Sequence, residues 1–320
     1  MKAAVTGENG LEIREVSRPT AKPNQILVRV RFAGLNRADV MGAARAKGGA
    51  PVIPGMDWSG EVAEVGAEAK GFKAGDRVMC SGAAGYAEYA VTDWGRALPV
   101  PEKNVSEEQA AVLMLALQTM HDALITNGRM QPGENVLIQG ASSGVGLMGL
   151  QIARLKGAKM VIGTSTNAAR RARLAGFGAD LAIDPSAAAW ADEVVKATGG
   201  RGADVIVDQV TGARFNDNMN AAAVLARIVN VGRLGGGKGE FDFNVHALKR
   251  ISYIGVTFRT RSADEIREIT RRMRTDLWDA VEGGRLSLPI DRVFALEEAE
   301  AAQAHMRANA HFGKILLKVA

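Results

Sequence analysis

Val136-Leu137-Ile138-Gln139-Gly140-Ala141-Ser142-Ser143-Gly144-Val145-Gly146 sets an apolar strand, a turn of small residues and a helix start in direct succession. A backbone that approaches a pyrophosphate closely, and a helix that packs tightly on the preceding strand, both require residues without bulk here. The stretch therefore predicts a phosphate-binding turn on a helix N-terminus. A lone glycine motif is equally at home in an ordinary strand-to-helix loop, so the surrounding chain has to decide.

Downstream, apolar strands alternate with helices. The pattern predicts strand Asn135–Gln139, helix Val145–Lys156, strand Lys159–Gly163, helix Ala168–Phe177, strand Leu181–Ile183 and helix Ala188–Thr198. Strand Val205–Asp208, helix Phe215–Leu225, strand Ala226–Val231 and a further strand over 250–258 follow. Such alternation implies a parallel sheet covered on both faces. Ser262–Glu282 and Glu297–Ala308 read as helices. The closing strand Lys314–Val319 is out of place after an α/β run, so the tail is expected to return to the first module.

Upstream, the first hundred residues carry short β-rich runs, Gln25–Phe32, Gly60–Val65 and Asp76–Met79, with Gly and Pro punctuation. The loop Gly34–Met41 and the turn Ile53–Trp58 interrupt them and are candidates to line a cleft. A long Ala/Leu/Met-rich helical pattern over Glu107–Gly128, with Glu107 and Glu108 in its first turn, holds the expected domain boundary.

The 320 residues suffice for roughly two domains at about 150 residues each. An apolar share of 47% and a charged share of 23% exclude a disordered or fibrous chain. The net charge of +5 is spread along the sequence, which argues against a nucleic-acid arm. It suits either attraction of an anionic cofactor or a mixed solvated surface. One cysteine, Cys80, excludes an intrachain disulfide framework and fits a reducing compartment. The start of the chain carries no apolar stretch of signal-peptide length, and the longest apolar run, Ala110–Leu117, is too short to span a membrane. A cytoplasmic protein is expected.

The segment Gly140–Gly146 resembles the glycine pattern of short-chain dehydrogenases, which carry it near the N-terminus and use a Tyr four residues before a Lys. Here it starts at 140, and Tyr86, Tyr89 and Tyr253 are followed at that spacing by Ala90, Asp93 and Thr257. A second signature points elsewhere. Pro54-Gly55-Met56-Asp57-Trp58-Ser59-Gly60-Glu61-Val62-Ala63-Glu64-Val65-Gly66, then Gly75-Asp76-Arg77-Val78 and Gly85-Tyr86-Ala87-Glu88-Tyr89, resembles the catalytic module of medium-chain dehydrogenases/reductases. The pattern is most similar to the zinc-independent quinone oxidoreductases, and the resemblance runs from Met1 to Val319. It implies an α/β protein in two parts: a GroES-like, mainly β catalytic domain over 1–118 completed by 262–320, and a Rossmann doubly wound parallel-sheet nucleotide domain over 119–261. It also implies a homodimer paired edge to edge through the strand near Tyr253–Phe258.

Zinc-dependent members of the superfamily use a Cys and a His-Glu pair as catalytic ligands. At the corresponding places this chain has Asn36-Arg37-Ala38-Asp39 and Met56-Asp57, and its histidines, His121, His246, His305 and His311, are scattered through the second half. No metal is expected, which disfavours alcohol oxidation, since its alkoxide is hard to stabilise without a Lewis acid.

The expected cofactor is NADPH. The strand Lys159–Gly163 ends in Thr164-Ser165-Thr166-Asn167, about 20 residues past the glycine loop, where an NAD enzyme usually presents an acid. Arg170 and Arg171 follow instead, and hydroxyls plus a guanidinium suit a 2′-phosphate. The family pattern has a Lys at the place aligned with Arg170. It also often has a Tyr near Asp184-Pro185, which is missing here. The alternative is that both arginines face solvent. By resemblance, further cofactor contacts are assigned to Asn36, Thr119, Ala141, Ser142, Ser143, Gly144, Val145, Gly146, Thr164, Ser165, Val210, Val231, Gly232, Arg233, Val256, Thr257 and Phe258. For Val231 and Val256, plain sheet core is the competing reading.

At the reacting end the resemblance supplies an Asn-x-x-Asp loop, here Asn36 and Asp39. Asn36 is read as orienting the nicotinamide or bonding the acceptor oxygen, or alternatively as an Asx turn capping the next segment. Asp39 organises water or caps a short helix. The family's usual Tyr two residues on is Met41 here, so the acceptor pocket departs from the common form. Trp58 and Phe258 either wall a flat apolar acceptor site or belong to the core. The small-molecule acceptor is expected to be a quinone. Reduction of the C=C bond of an enone, alkenal or acyl thioester is the alternative, and NADPH binding for a structural or sensing role the minor one.

Overall fold

The computed structural model describes residues 1–45 and 50–320, in two compact units. One comprises Met1–Gln118 with Ser262–Ala320, the other Thr119–Arg261, so the boundary falls within the helix Glu107–His121. No helix among the described residues is long and apolar enough to cross a membrane.

The discontinuous unit is built on a seven-stranded sheet in the order Ile290–Ala295, Lys314–Lys318, Gln25–Gly34, Asp57–Val65, Arg77–Ser81 and Ala97–Pro99, with Tyr89–Asp93 also paired to Gln25–Gly34. The closing strand Lys314–Lys318 runs antiparallel to Gln25–Gly34, Leu316 opposite Gly34. A separate hairpin, Lys2–Gly7 with Gly10–Glu15, lies beside it. The core gathers Ile26, Val28, Leu35, Trp58, Tyr86, Ile315 and Leu317, all essentially inaccessible to solvent. Two glycines permit the close approaches. A Cβ on Gly60 would lie 2.0 Å from the Arg29 carbonyl oxygen of the paired strand, and one on Gly34 would lie 2.5 Å from that of Ala111.

Residues read from sequence as the loop Gly34–Met41 are the end of a strand and the start of the helix Arg37–Arg45. Nine residues with an internal Gly42 give too little periodicity to declare a helix. What organises its start is Asp39, whose carboxylate accepts the Asn36 N–H at 2.9 Å.

The second unit holds a six-stranded, wholly parallel sheet in the order Leu181–Ile183, Met160–Thr164, Asn135–Ile138, Ala203–Asp208, Ala222–Asn230, Ser252–Gly255. Chain order reverses between Asn135–Ile138 and Ala203–Asp208, the switch point at which doubly wound sheets bind ligands beyond the strands' carboxyl ends.

Several boundaries differ from those expected, each for a tertiary reason. The helix beginning at Phe215 stops at Ala221, and the Ala-rich residues 222–225, helical by propensity, open a strand instead: Ala222 lies opposite Ala203, the chain then bulges with Leu225 at φ 66°, and pairing resumes at Arg227 opposite Val205. The Lys249 ammonium, bonded to the carbonyls of Met219, Asn220 and Ala222 at 2.6–2.9 Å, holds that helix end closed. The strand over 250–258 shrinks to Ser252–Gly255, because Arg250 takes a left-handed φ of 51° as it ends a helix, Phe243–Lys249, that periodicity did not reveal. Helix Ala168–Phe177 divides into Ala168–Arg171 and a tighter turn, Leu174–Phe177. Glu107–Gly128 gives way after His121 to a wider helical turn over Asp122–Asn127.

Candidate active site

In the parallel-sheet unit one hydrogen-bond chain links three strand ends. Gly140 adopts φ 66°, its N–H donates to Thr164 Oγ1 at 3.0 Å, and Ala141 N–H donates to the Thr164 carbonyl at 2.9 Å. Thr164 Oγ1 donates to Gln139 Oε1 at 2.7 Å, Gln139 Nε2 to Asn218 Oδ1 at 2.6 Å, and Asn218 Nδ2 to Asp208 Oδ2 at 2.9 Å. The other Asp208 oxygen accepts the N–H groups of Val210 and Thr211 at 2.8 and 2.9 Å. Burial raises the Asp208 carboxyl above its ordinary pKa, against these donors. Thr211 is held at φ 54°, ψ −149°, a conformation costly for a β-branched residue.

The turn fits a dinucleotide. Ser143 caps the helix Gly144–Leu155, its Oγ accepting the Gly146 N–H at 3.0 Å, which leaves the first-turn N–H groups of Gly144 and Val145 as donors at that end. A Cβ on Gly146 would lie 2.6 Å from the Gly140 oxygen and 2.7 Å from Ala141 Cα, so only glycine lets helix and turn meet. Ser142 and Ser165 hydroxyls stand 3.0 Å apart. Arg171 bonds the Ser165 carbonyl at 2.7 Å and Asp184 at 3.1 Å and is a fastener of this corner, whereas Arg170 is half-buried on the helix Ala168–Arg171, whose N-cap is Asn167.

Ala141, Ser142, Ser143, Gly144, Val145, Gly146, Thr164 and Ser165 thus gather at one corner. Val210, Val231 and Gly232 stand at neighbouring strand ends, with Val231 N–H bonded to the Asp208 carbonyl at 2.8 Å. Val256 is buried, tied through its N–H to the Asn230 carbonyl at 3.1 Å. Thr257 and Phe258 are half-buried beyond the edge strand, and Arg233 is exposed. Thr119 is half-buried on the helix Glu107–His121.

The other unit contains a buried polar cluster. Lys314 Nζ, on a residue only 3% exposed, donates to Asn36 Oδ1 at 2.8 Å and to Asp57 Oδ2 at 3.3 Å. Asp39 accepts from Asn36 N–H, from Gly55 N–H at 3.3 Å and from Tyr86 Oη at 3.2 Å. Burial pushes the Asp39 and Asp57 carboxyls up to about 6 each, outweighing Lys314 and the donated hydrogen bonds, which pull them down. Burial and the nearby acids likewise hold the Cys80 thiol and the Tyr86 phenol well above their ordinary values.

Asn36 and Asp39 therefore meet, while the other two residues assigned to the acceptor pocket do not join them. Trp58, at 0% exposure, is core: its ring packs where a Cβ on Gly82 or Gly85 would lie within 2.8 Å of it, so it walls no pocket. Met41 is 42% exposed on the outer side of the helix Arg37–Arg45. Asn36 is no Asx turn, since its side-chain oxygen faces Lys314. Sequence reasoning missed Lys314 and Tyr86. The available signal was a lysine opening the apolar run Ile315-Leu316-Leu317, where an ammonium shares the burial of its neighbours and needs partners. Among the described residues no three His, Cys, Asp or Glu side chains form a group that could hold a metal ion.

Family models match the chain over residues 22–102, described as "Alcohol dehydrogenase GroES-like domain", and over residues 144–275, described as "Zinc-binding dehydrogenase". Quinone oxidoreductase-like protein 2 of Bos taurus is 32% identical over 315 residues, spanning 97% of this chain and 89% of that protein. The crystal structure of an alcohol dehydrogenase superfamily protein from Novosphingobium aromaticivorans superposes with a TM-score of 0.87 at 30% identity, each chain covered in full. Quinone oxidoreductase of Pseudomonas syringae pv. Tomato DC3000 gives a TM-score of 0.87 at 26% identity, again over both whole chains.

The raised carboxyls make the β unit's stability fall with pH. Between about 4 and 6 the folded chain binds protons at Asp39 that the unfolded chain has released, so the contribution is full below the unfolded pKa and lost as pH rises through the folded one. Relative to Asp39→Asn, the unmodified protein is expected to lose on the order of 2–3 kcal/mol of unfolding free energy across that window, measured by denaturant titration at each pH. A difference that stays flat or grows with pH would contradict this assignment.

Proposed function

This chain belongs to the quinone oxidoreductase family of the medium-chain dehydrogenases/reductases and is an NAD(P)H-dependent oxidoreductase; from that premise we propose that it is a zinc-free, NADPH-dependent reductase of quinones. One observation carries the reading. Asn36 and Asp57 occupy the places at which the zinc enzymes present Cys and Glu, and here a lysine ammonium already bonds both. Asn36 and Met56 are poor donors for zinc, and the carboxylate of Asp57 is already engaged by the Lys314 ammonium. The model described as zinc-binding covers residues 144–275, a stretch that contains none of these positions. An electron-poor quinone needs less help from a Lewis acid than an alcohol does.

Bound NADPH would supply a hydride from its nicotinamide. The chain's own work is binding and orientation. The Gly140–Gly146 turn takes the pyrophosphate on the N–H groups of Gly144 and Val145. Thr164 and Ser165 take the ribose side, Arg170 the 2′-phosphate, and Val210, Val231, Gly232 and Val256 the nicotinamide half. Asn36 bonds the acceptor oxygen or the carboxamide. The absence of an acid after Thr164 and the position of Arg170 support NADPH over NADH.

A dimer through the sheet edge is part of the proposal. The strand Ser252–Gly255 is one of the two edges of the parallel sheet among the described residues, and Val224, Leu225, Phe243, Leu248 and Tyr253, all well exposed, belong to the last two strands and the helix between them.

Spectrophotometric oxidation of NADPH against a panel of quinones and α,β-unsaturated carbonyls is expected to show turnover with the quinones. Turnover confined to the enones would replace the substrate class, and tight NADPH binding with no turnover would favour a binding protein. Arg170→Ala is expected to raise the KM for NADPH roughly tenfold or more, as loss of one charge-assisted bond worth ~1.5–3 kcal/mol implies, with little change for NADH. Equal effects on both would remove the phosphate role. Light scattering is expected to give a dimer that Phe243→Lys/Leu248→Lys converts to a folded monomer, and an unmodified protein that is monomeric would sink the interface.

A further inference from the structure

Asn36 is held at both ends. Its main-chain N–H is fixed by Asp39 at 2.9 Å and its side-chain oxygen by Lys314 at 2.8 Å. The hold on the oxygen has a chemical consequence, because an ammonium has three donors and no acceptor. With the amide turned over, an NH2 group would face the Lys314 ammonium, donor against donor, and a charge-assisted bond would be lost. Lys314 is itself anchored, since Asp57, its second partner, accepts the Leu115 N–H at 3.3 Å from the facing helix. The Asn36 oxygen is thus turned toward Lys314 and Nδ2 away from it. Nδ2 makes one long bond, 3.3 Å, to the Gly34 carbonyl, and its second N–H has no partner among the described residues. At 8% exposure Asn36 is nearly enclosed, so that N–H has little access to water.

We infer that Lys314 is a positioning residue that locks Asn36 as a hydrogen-bond donor, so that this position recognises an acceptor atom such as a carbonyl or quinone oxygen. The inference deepens the proposed reductase reading and rests on it for the identity of what Asn36 meets. The lock itself is a property of the free protein.

The test uses two readouts. In full-length protein labelled with ¹⁵N-asparagine, the Asn36 side-chain NH2 pair, assigned by its loss in Asn36→Ala, is expected at a distinct shift with slowed hydrogen exchange. Lys314→Met alone strands the buried Asp57 charge and is prone to unfold, so the informative variant is Asp57→Asn/Lys314→Met, which removes both charges together. In it the Asn36 pair is expected to lose its distinct shift and exchange faster, whereas Lys314→Arg, which still donates, is expected to keep it. In turnover with a benzoquinone, kcat of the double variant is expected to fall roughly 100-fold, the lower end of what losing one aimed donor costs, with the KM for NADPH within about twofold. Adding Asn36→Ala should then cost little more, since the two changes remove one interaction. An Asn36 pair unchanged in the double variant, or a fully additive further loss on Asn36→Ala, overturns the inference. Absence of quinone turnover by the unmodified protein would instead count against the reductase reading, with the NMR comparison still deciding the lock.

Discussion

Burying an ammonium and two carboxyls in an apolar sheet is costly unless they neutralise and hydrogen-bond one another, and the β unit is arranged around meeting that condition. Lys314 arrives on the last strand, Asp57 on a central strand, and Asn36 and Asp39 at the start of a helix. Each is nearly inaccessible to water, and the carboxyls titrate near 6 because burial prevails over their partners. Removing any one partner leaves a buried charge or dipole uncompensated, a far larger penalty than a surface ion pair carries. The geometry of the short helix, the Gly55 turn and the Tyr86 ring is therefore tied to the presence of one lysine near the end of the chain.

The parallel unit solves a different problem with neutral groups. Its strand ends must expose backbone to a ligand and still keep their positions relative to each other. A relay of amides and hydroxyls, from the Gly140 turn through Thr164, Gln139 and Asn218 to Asp208, fixes three ends in one register. The strained backbone at Thr211 is clasped by the last member of that relay. Rigidity at the carboxyl edge thus comes from side-chain bonds that leave the first-turn N–H groups of Gly144 and Val145 available.

The fold was largely legible because its marks are local. The Val136–Gly146 succession and the Pro54–Gly66 signature depend on residue size at fixed spacing, a parallel sheet covered on both faces follows from strand and helix alternation, and the doubly wound order is what the resemblance adds. What stayed illegible depends on distant partners. Ala222–Leu225 reads as helix, yet Ala222 pairs with Ala203 of a distant strand and the residues after it bulge before pairing resumes. Trp58 stays open between pocket and core in the sequence because an aromatic beside a turn looks the same in either place, and its full burial makes it core. Lys314 lies 278 residues from Asn36, and no spacing rule connects them. Arg170 and Arg171 look equivalent in sequence, yet only the structure shows Arg171 engaged with Ser165 and Asp184.

The β unit closes only when both ends of the chain are present. Phe32–Gly34 pairs on one side with Asp57–Ser59, and on the other with Leu316–Lys318. On a ribosome adding ~5–20 residues per second, that second side waits roughly 15–60 s, while the whole of Thr119–Arg261 emerges and can fold as a contiguous block. Through that interval Asp39 and Asp57 are solvated and uncompensated, and a strand edge lies open to other chains. The discontinuity that places a cation beside Asn36 thus also gives the nascent protein a period of exposure, which ends as the final strand docks.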